Sequence, residues 1–283
     1  MNGESSCMHS KKAGITVISL GFLILITASF FYPLVFMFLN SLKKRGLYFA
    51  DPFGLPKGML QFKNYAIMIS QFKILHLFKN TAFILLITCL LALVLSIFAG
   101  YAFSKLRFPG RNSIFIAIIA TMLIPAQVTL IPMYVMFSRV RLVNNPWSVI
   151  LVYVASFLPG NILLMTSYFK DISNEMIEAG KIDGSNYFQI VRNVIIPMGA
   201  PVILINLIFN AINVWNDLFT PMILLQKDSV KTVMVALTGL VQRYSTDPPF
   251  QFAGLVLSSI PCILIYMLLQ RYIVDGITMG SIK

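Results

Sequence analysis

The 283-residue sequence is poor in charge, in acid above all, and in the residues that carry polar chemistry. Only 11% of positions are Asp, Glu, Lys or Arg, against about a quarter in ordinary soluble domains, which excludes a soluble globular chain. Ten acidic residues stand against 22 basic ones, for a net charge of +12. In a soluble protein that excess points to nucleic acid. In an apolar chain it marks Lys and Arg flanking membrane spans, so nucleic acid is not expected as a partner. The three cysteines, Cys7, Cys89 and Cys262, lie far apart and support neither a disulfide framework nor a metal site. His9 and His76 stand alone. No nucleotide-binding Gly-rich loop ending in Gly-Lys-Ser/Thr occurs, so ATP hydrolysis is not expected of this chain. No catalytic residue, metal or cofactor is expected, and the chain is read as not an enzyme.

What the sequence has is apolar length. Hydrophobic residues make up 58% of it. Six stretches suffice to cross about 30 Å of hydrocarbon, which takes about 20 helical residues. They are 14–39, 81–103, 112–137, 147–169, 198–226 and 250–270. The first is too long for a signal-peptide core and lacks a small-residue cleavage site. None alternates as a strand does, and only helices or closed barrels satisfy backbone groups in lipid. The expectation is an all-α membrane protein with six transmembrane helices.

Two spans carry breaks. Pro125 and Pro132 flank Gln127 and Thr129 in the third, and Pro159-Gly160-Asn161 interrupts the fourth. Proline frees a carbonyl and kinks a helix, and such breaks survive in membranes where protein or water covers them. Packing kinks and a solute path are both open. Charge does not decide orientation. With the N-terminus inside, ten Lys and Arg fall on cytoplasmic segments and twelve outside, seven of them between residues 40 and 80.

The polar stretch 170–197 is the exception in this apolar chain. Asp171 or Ser173 can cap a short helix through Glu175, Glu178 and Lys181. Asp183-Gly184 is a turn signal. Ser185 can cap a second helix, whose Phe188, Val191 and Ile195 share one face, and Pro197 stops it. The result is a helix–turn–helix lying along the membrane surface, either a plain connector or a docking element.

Glu178-Ala179-Gly180, Asp183-Gly184 and Ile196-Pro197 resemble the signature cytoplasmic loop of permease subunits in ATP-binding-cassette importers. Gly180 departs from that signature, which has Ala there, but keeps a small side chain. The stretch from Phe98 to Gly110 is similar to the end of the second span in maltose-type sugar permeases. Ile124-Pro125 with Ile131-Pro132-Met133-Tyr134 resembles their third span, and Asn213 to Asp217 with Pro221 their fifth. The tail from Gln270 to Gly280 resembles their C-terminal ending.

The resemblance implies a type I importer permease architecture in the bacterial inner (cytoplasmic) membrane. Its loop, the coupling helix, docks on a cytoplasmic ATPase, with Glu178 the acidic contact and Gly184 the sharp turn. Glu178, Ala179, Gly180, Asp183, Gly184 and Pro197 are thus the expected ATPase-coupling residues. The implied partners are a second permease subunit in a heterodimer, a cytoplasmic ATPase dimer, an extracytoplasmic solute-binding protein and membrane lipid. A cytoplasmic loop also places both termini in the cytoplasm. The organisation then reads as cytoplasmic residues 1–13, a first span 14–39, an extracytoplasmic loop 40–80 and a core 81–283 with its coupling loop 170–197.

Asn206, Asn210, Asn213 and Asp217 fall on one helical face of the fifth span, with Asn216 beside its end. They line a solute path or bind the partner permease, since amides facing lipid are costly. Asp217 lies about 24 Å along the helix from Pro201, near the outer face, where a gate or structural pair is expected. Transport of a sugar or oligosaccharide is the favoured function. A non-carbohydrate solute is the alternative, and an ion-coupled secondary transporter a weaker one, because such transporters keep ionisable residues deep in the membrane.

Overall fold

The protein was analysed as a computed structural model that describes residues 3–244 and 246–280. The ends of the expected cytoplasmic termini, 1–2 and 281–283, lie outside the described residues, as do the side chains of Cys7, His9 and the tail motif beyond Gln270. Among the described residues there is no β-strand. In chain order the helices are α1 (Gly3–Ser41), α2 (Arg45–Ala50), α3 (Lys63–Ser70), α4 (Ile74–Lys105) and α5 (Arg111–Ala120). A 3₁₀ turn, Thr121–Leu123, precedes α6 (Ala126–Arg139), α7 (Pro146–Lys170), α8 (Asn174–Ile182) and α9 (Tyr187–Ile190). A π turn, Val191–Ile195, leads to α10 (Ile196–Met198), α11 (Ala200–Asn216), α12 (Phe219–Leu224), α13 (Val233–Arg243) and α14 (Pro248–Gly280).

All six apolar stretches fall on helices. Four are unbroken spans: Ser19–Ser41, Ile74–Lys105, Pro146–Lys170 and Pro248–Met267. Two are bent pairs, Arg111–Leu123 with Ala126–Arg139 at 98° and Tyr187–Met198 with Ala200–Asn216 at 79°. By length and apolarity this gives four spans, or six if each bent pair is one, although Tyr187–Met198 in the second pair also forms the latter part of the polar loop. The third span is therefore broken at Ile124-Pro125, where Ile124 is extended because a residue preceding proline is pushed out of the helical region. The fourth is not: α7 continues through Pro159, which is buried, so neighbouring packing covers the site of the missing N–H. The fifth ends earlier than expected. Asn216 is the last residue of α11 and Asp217 is extended, followed by the short α12.

The chain divides into two compact units, Met1–Phe72 with Leu240–Leu257, and Lys73–Gly239 with Ser258–Lys283. In the first, Lys43 is 1% exposed. Its ammonium donates to the carbonyls of Asp51 and Pro52, both at 2.9 Å, which closes the loop after α1. Asn64 Nδ2 donates to the Ser41 carbonyl at 3.0 Å. Phe36 packs against Phe53 and Phe252, with ring centres 5.7 and 5.8 Å apart. Residues 42–72 are thus a folded segment carrying α2 and α3, and α4 takes up the end of the expected 40–80 loop from Ile74.

The second unit is organised on α4 and α7, which pack along their lengths, with α11 against α4. Gly100 makes that approach possible: a Cβ there would stand 2.8 Å from Met165 Cβ. His76, isolated in the sequence, bonds the Ser229 carbonyl at 2.9 Å. Asn80 donates to the same carbonyl and to that of Lys231, and Thr81 Oγ1 accepts the Val233 N–H. The first turns of α4 so hold the segment between α12 and α13.

Candidate coupling loop and transport cavity

The polar loop after α7 is two capped helices around one glycine turn. Ser173 caps α8, its hydroxyl accepting the Glu175 N–H at 3.1 Å. Gly184 follows α8 with φ +77°, a conformation that costs other residues strain. The Gly184 and Ser185 N–H groups bond the carbonyls of Lys181 and Gly180 at 3.0 and 2.9 Å. The second cap is Asn186, one residue past the expected Ser185. Asn186 Oδ1 accepts the Gln189 N–H and Gln189 Oε1 accepts the Asn186 N–H, at 3.0 and 2.8 Å. This reciprocal box satisfies two groups, where Ser185 has no acid or amide three residues on to complete one.

The loop's apolar side is sunk into the second unit. Ile177, Ile190, Val191 and Ile195 are buried in one cluster with Ile97 and Tyr101 of α4, Met165 and Phe169 of α7, and Val202 of α11. Phe188, expected on that face, lies at its edge. It is exposed, with its ring 5.1 Å from that of Phe98, and Ile190 takes the buried place. Pro197 does not stop the helix. Helical structure continues through Met198, and the chain bends at Gly199. The Ile196 N–H reaches back five residues to Val191, and this wider π turn accommodates the proline without the usual clash. Gly199 is a packing requirement, since a Cβ there would lie 2.5 Å from the Phe169 ring.

The polar side faces out. Glu178, Ala179, Asp183, Gly184 and Pro197 are exposed and Gly180 is half-buried. One residue that the sequence did not single out reaches this loop. Lys105, last in α4, donates to the Lys170 carbonyl at 3.2 Å, to Asn174 Oδ1 at 2.9 Å and to the Ile172 carbonyl.

The amide stripe of α11 divides in two. Asn206 and Asn210 are buried inside the unit, 1% and 3% exposed, and Asn206 donates to the Val202 carbonyl at 3.0 Å. Asn213 and Asn216 are exposed and face a cavity of about 920 Å³, together with Asp217, Tyr153, Gln127 and Thr129. Their amide N–H groups bond the carbonyls of Phe209 and Ile212, which leaves the amide oxygens for other donors. Asp217 accepts the Tyr153 hydroxyl at 2.9 Å and the Phe219 N–H at 3.0 Å, so both carboxylate oxygens are engaged. Residues on both sides of the break at Pro125 line this cavity. Tyr153 was not legible as a site residue, because its partner lies 64 positions away.

Up to six spans, an exposed helix–turn–helix seated on them, and a largely apolar cavity with a few amides, hydroxyls and one carboxylate beside a broken helix together describe a membrane permease component. The family described as binding-protein-dependent transport system inner membrane component matches residues 92–279, and the chain belongs to it. Its relatives include the putative ABC transporter permease protein ORF2 of Caldicellulosiruptor sp., 33% identical over 205 residues, 72% of this chain and 74% of that one. The diacetylchitobiose uptake system permease protein NgcG of Streptomyces coelicolor is 28% identical over 277 residues, 97% and 91% of the two chains. A solved bacterial ABC transporter involved in the import of the acidic polysaccharide alginate shares the fold, with a TM-score of 0.79. It is 24% identical and covers 93% of this chain and 97% of its own. The chain is thus the inner-membrane permease of a binding-protein-dependent ABC importer, and a permease subunit is not itself an enzyme.

Proposed function

We propose that this permease pairs with a second permease to form the path of a neutral sugar or oligosaccharide. It couples that path to a cytoplasmic ATPase dimer through the 178–197 loop and receives the solute from an extracytoplasmic binding protein. The observation that carries the coupling is the loop's division into an exposed side with Glu178 and Asp183 and a buried side of Ile177, Ile190, Val191 and Ile195. A basic group on the ATPase meeting Glu178 gives a charge-assisted contact of about 1.5–3 kcal/mol. Gly180, Ala179 and Gly184 keep the helix slim and the turn sharp, and Pro197 lies in the last turn before the bend at Gly199. In this reading both termini are cytoplasmic, with residues 1–13 before a first span at 14–39, an extracytoplasmic loop at 40–80 and the core at 81–283.

The solute class is argued from the cavity. Its lining has amides, hydroxyls and aromatic rings but no Lys, Arg or His, and its carboxylate is already satisfied by Tyr153 and Phe219. Such a wall hydrogen-bonds sugar hydroxyls and holds no cation to pair with the carboxylate of a uronate. The relative named for diacetylchitobiose, a neutral disaccharide, supports the same direction. Asn206 and Asn210, being buried, act as packing amides, whereas Asn213 and Asn216 contact solute and Asp217 holds Tyr153 at the cavity wall. The test is uptake of a radiolabelled neutral oligosaccharide by the reconstituted complex, with neutral and uronic oligosaccharides as competitors. Competition by the neutral chains alone is expected, and competition by the uronic chains alone would refute the reading.

A further inference from the structure

Between the C-terminal end of α7 and the start of α8 lie only Asp171, Ile172 and Ser173, a link about which α8 could pivot. Across it stands one cation. All three protons of the half-buried Lys105 ammonium have an acceptor: the Lys170 carbonyl in the last turn of α7, the Ile172 carbonyl in the link, and Asn174 Oδ1 at the first residue of α8. The first is one of the carbonyls that a helix end leaves unpaired, at the negative end of its dipole. Lys105 itself closes α4, so three helices meet at one nitrogen. The apolar cluster beneath also joins the loop to α4 and α7, but apolar contact is non-directional and permits sliding. The hydrogen bonds fix an orientation.

We propose that Lys105 is a positioning residue that locks α8 to the ends of α4 and α7, so that a push on α8 moves the membrane helices instead of pivoting the loop. This rests on the coupling role proposed for the 178–197 loop. The expected signature is slippage: ATP is consumed while the path fails to turn over.

The experiment reconstitutes the complete importer with its binding protein and measures ATP hydrolysed per solute imported. For Lys105→Met, which keeps the stem and loses the donors, the ratio is expected to rise at least about fivefold, the low end of ordinary coupling between distant sites. Lys105→Arg, still a charged donor, is expected to stay within about twofold of wild type. Asn174→Ala removes one exposed acceptor and is expected to raise the ratio by less. A wild-type ratio in assembled Lys105→Met overturns the proposal. So does failure of Lys105→Met to assemble combined with a wild-type ratio in Asn174→Ala, which would make Lys105 purely structural. Failure to assemble with a raised ratio in Asn174→Ala supports it. Glu178→Lys in the same preparation separates the two levels. If it alters neither ATPase activity nor uptake, the coupling reading itself falls; if it abolishes both while Lys105→Met remains tight, only the lock falls.

Discussion

Two glycines four residues apart in the coupling loop respond oppositely to a methyl group. At Gly180 an added Cβ meets only Ile190 Cγ1, at 3.8 Å, an ordinary contact. Gly180→Ala is therefore expected to keep transport and to stabilise α8 by about 0.5–1 kcal/mol, seen as a higher unfolding temperature in detergent. Gly184 has open space around it but φ +77°, so Gly184→Ala is expected to strain the turn by about 1–2 kcal/mol and to lower both that temperature and uptake. Lys43 is a different case, a buried cation whose hydrogen bonds go to two backbone carbonyls. Burial pushes its ammonium below the ordinary lysine value. Between the lowered and the ordinary value the unfolded chain binds more protons than the folded one, so stability rises with pH there and is flat below. Protease resistance of the 43–62 segment in proteoliposomes should thus increase as the medium becomes alkaline, and Lys43→Met should lose that dependence. Resistance falling through the same alkaline range in the wild type would contradict the burial of this charge.

At the scale of elements, the second unit depends on close approach around Phe169. Its ring has Gly100 on one side and Gly199 on the other, where added Cβ atoms would stand 3.4 and 2.5 Å from it. Gly100→Val drives a side chain into Met165 and is expected to cost about 1–3 kcal/mol, measured as lower yield and a lower unfolding temperature. The spans themselves were legible because their length and apolarity are local properties. So were the two helices and the turn of the loop, since Ser173, Asp183 and Gly184 punctuate the chain where they stand. Proline was ambiguous. Pro125 breaks its helix and Pro159 does not, because the outcome depends on which neighbours cover the freed carbonyl, and that is tertiary. The α11 stripe looked like one face, but packing against the rest of the unit took Asn206 and Asn210 and left Asn213 and Asn216 to the cavity. Lys105 was hidden for the same reason as Tyr153: its acceptors lie 65 to 69 positions along the chain.

For the whole molecule, the balance of ten against twelve basic residues left orientation open, and the proposed coupling role requires the loop to face the cytoplasm. In a cysteine-free background, Ser185→Cys should react with a membrane-impermeant maleimide in inside-out vesicles and not in intact cells. Labelling in intact cells would reverse the topology. The most direct measurement is ATP-driven uptake by the reconstituted importer, wild type against Glu178→Lys. The expected result is loss of uptake and of binding-protein-stimulated ATPase activity, by tenfold or more if about 1.4 kcal/mol or more of contact is lost, in a complex that still assembles. Unchanged uptake, or transport that proceeds without an ATPase, would contradict coupling through the 178–197 loop.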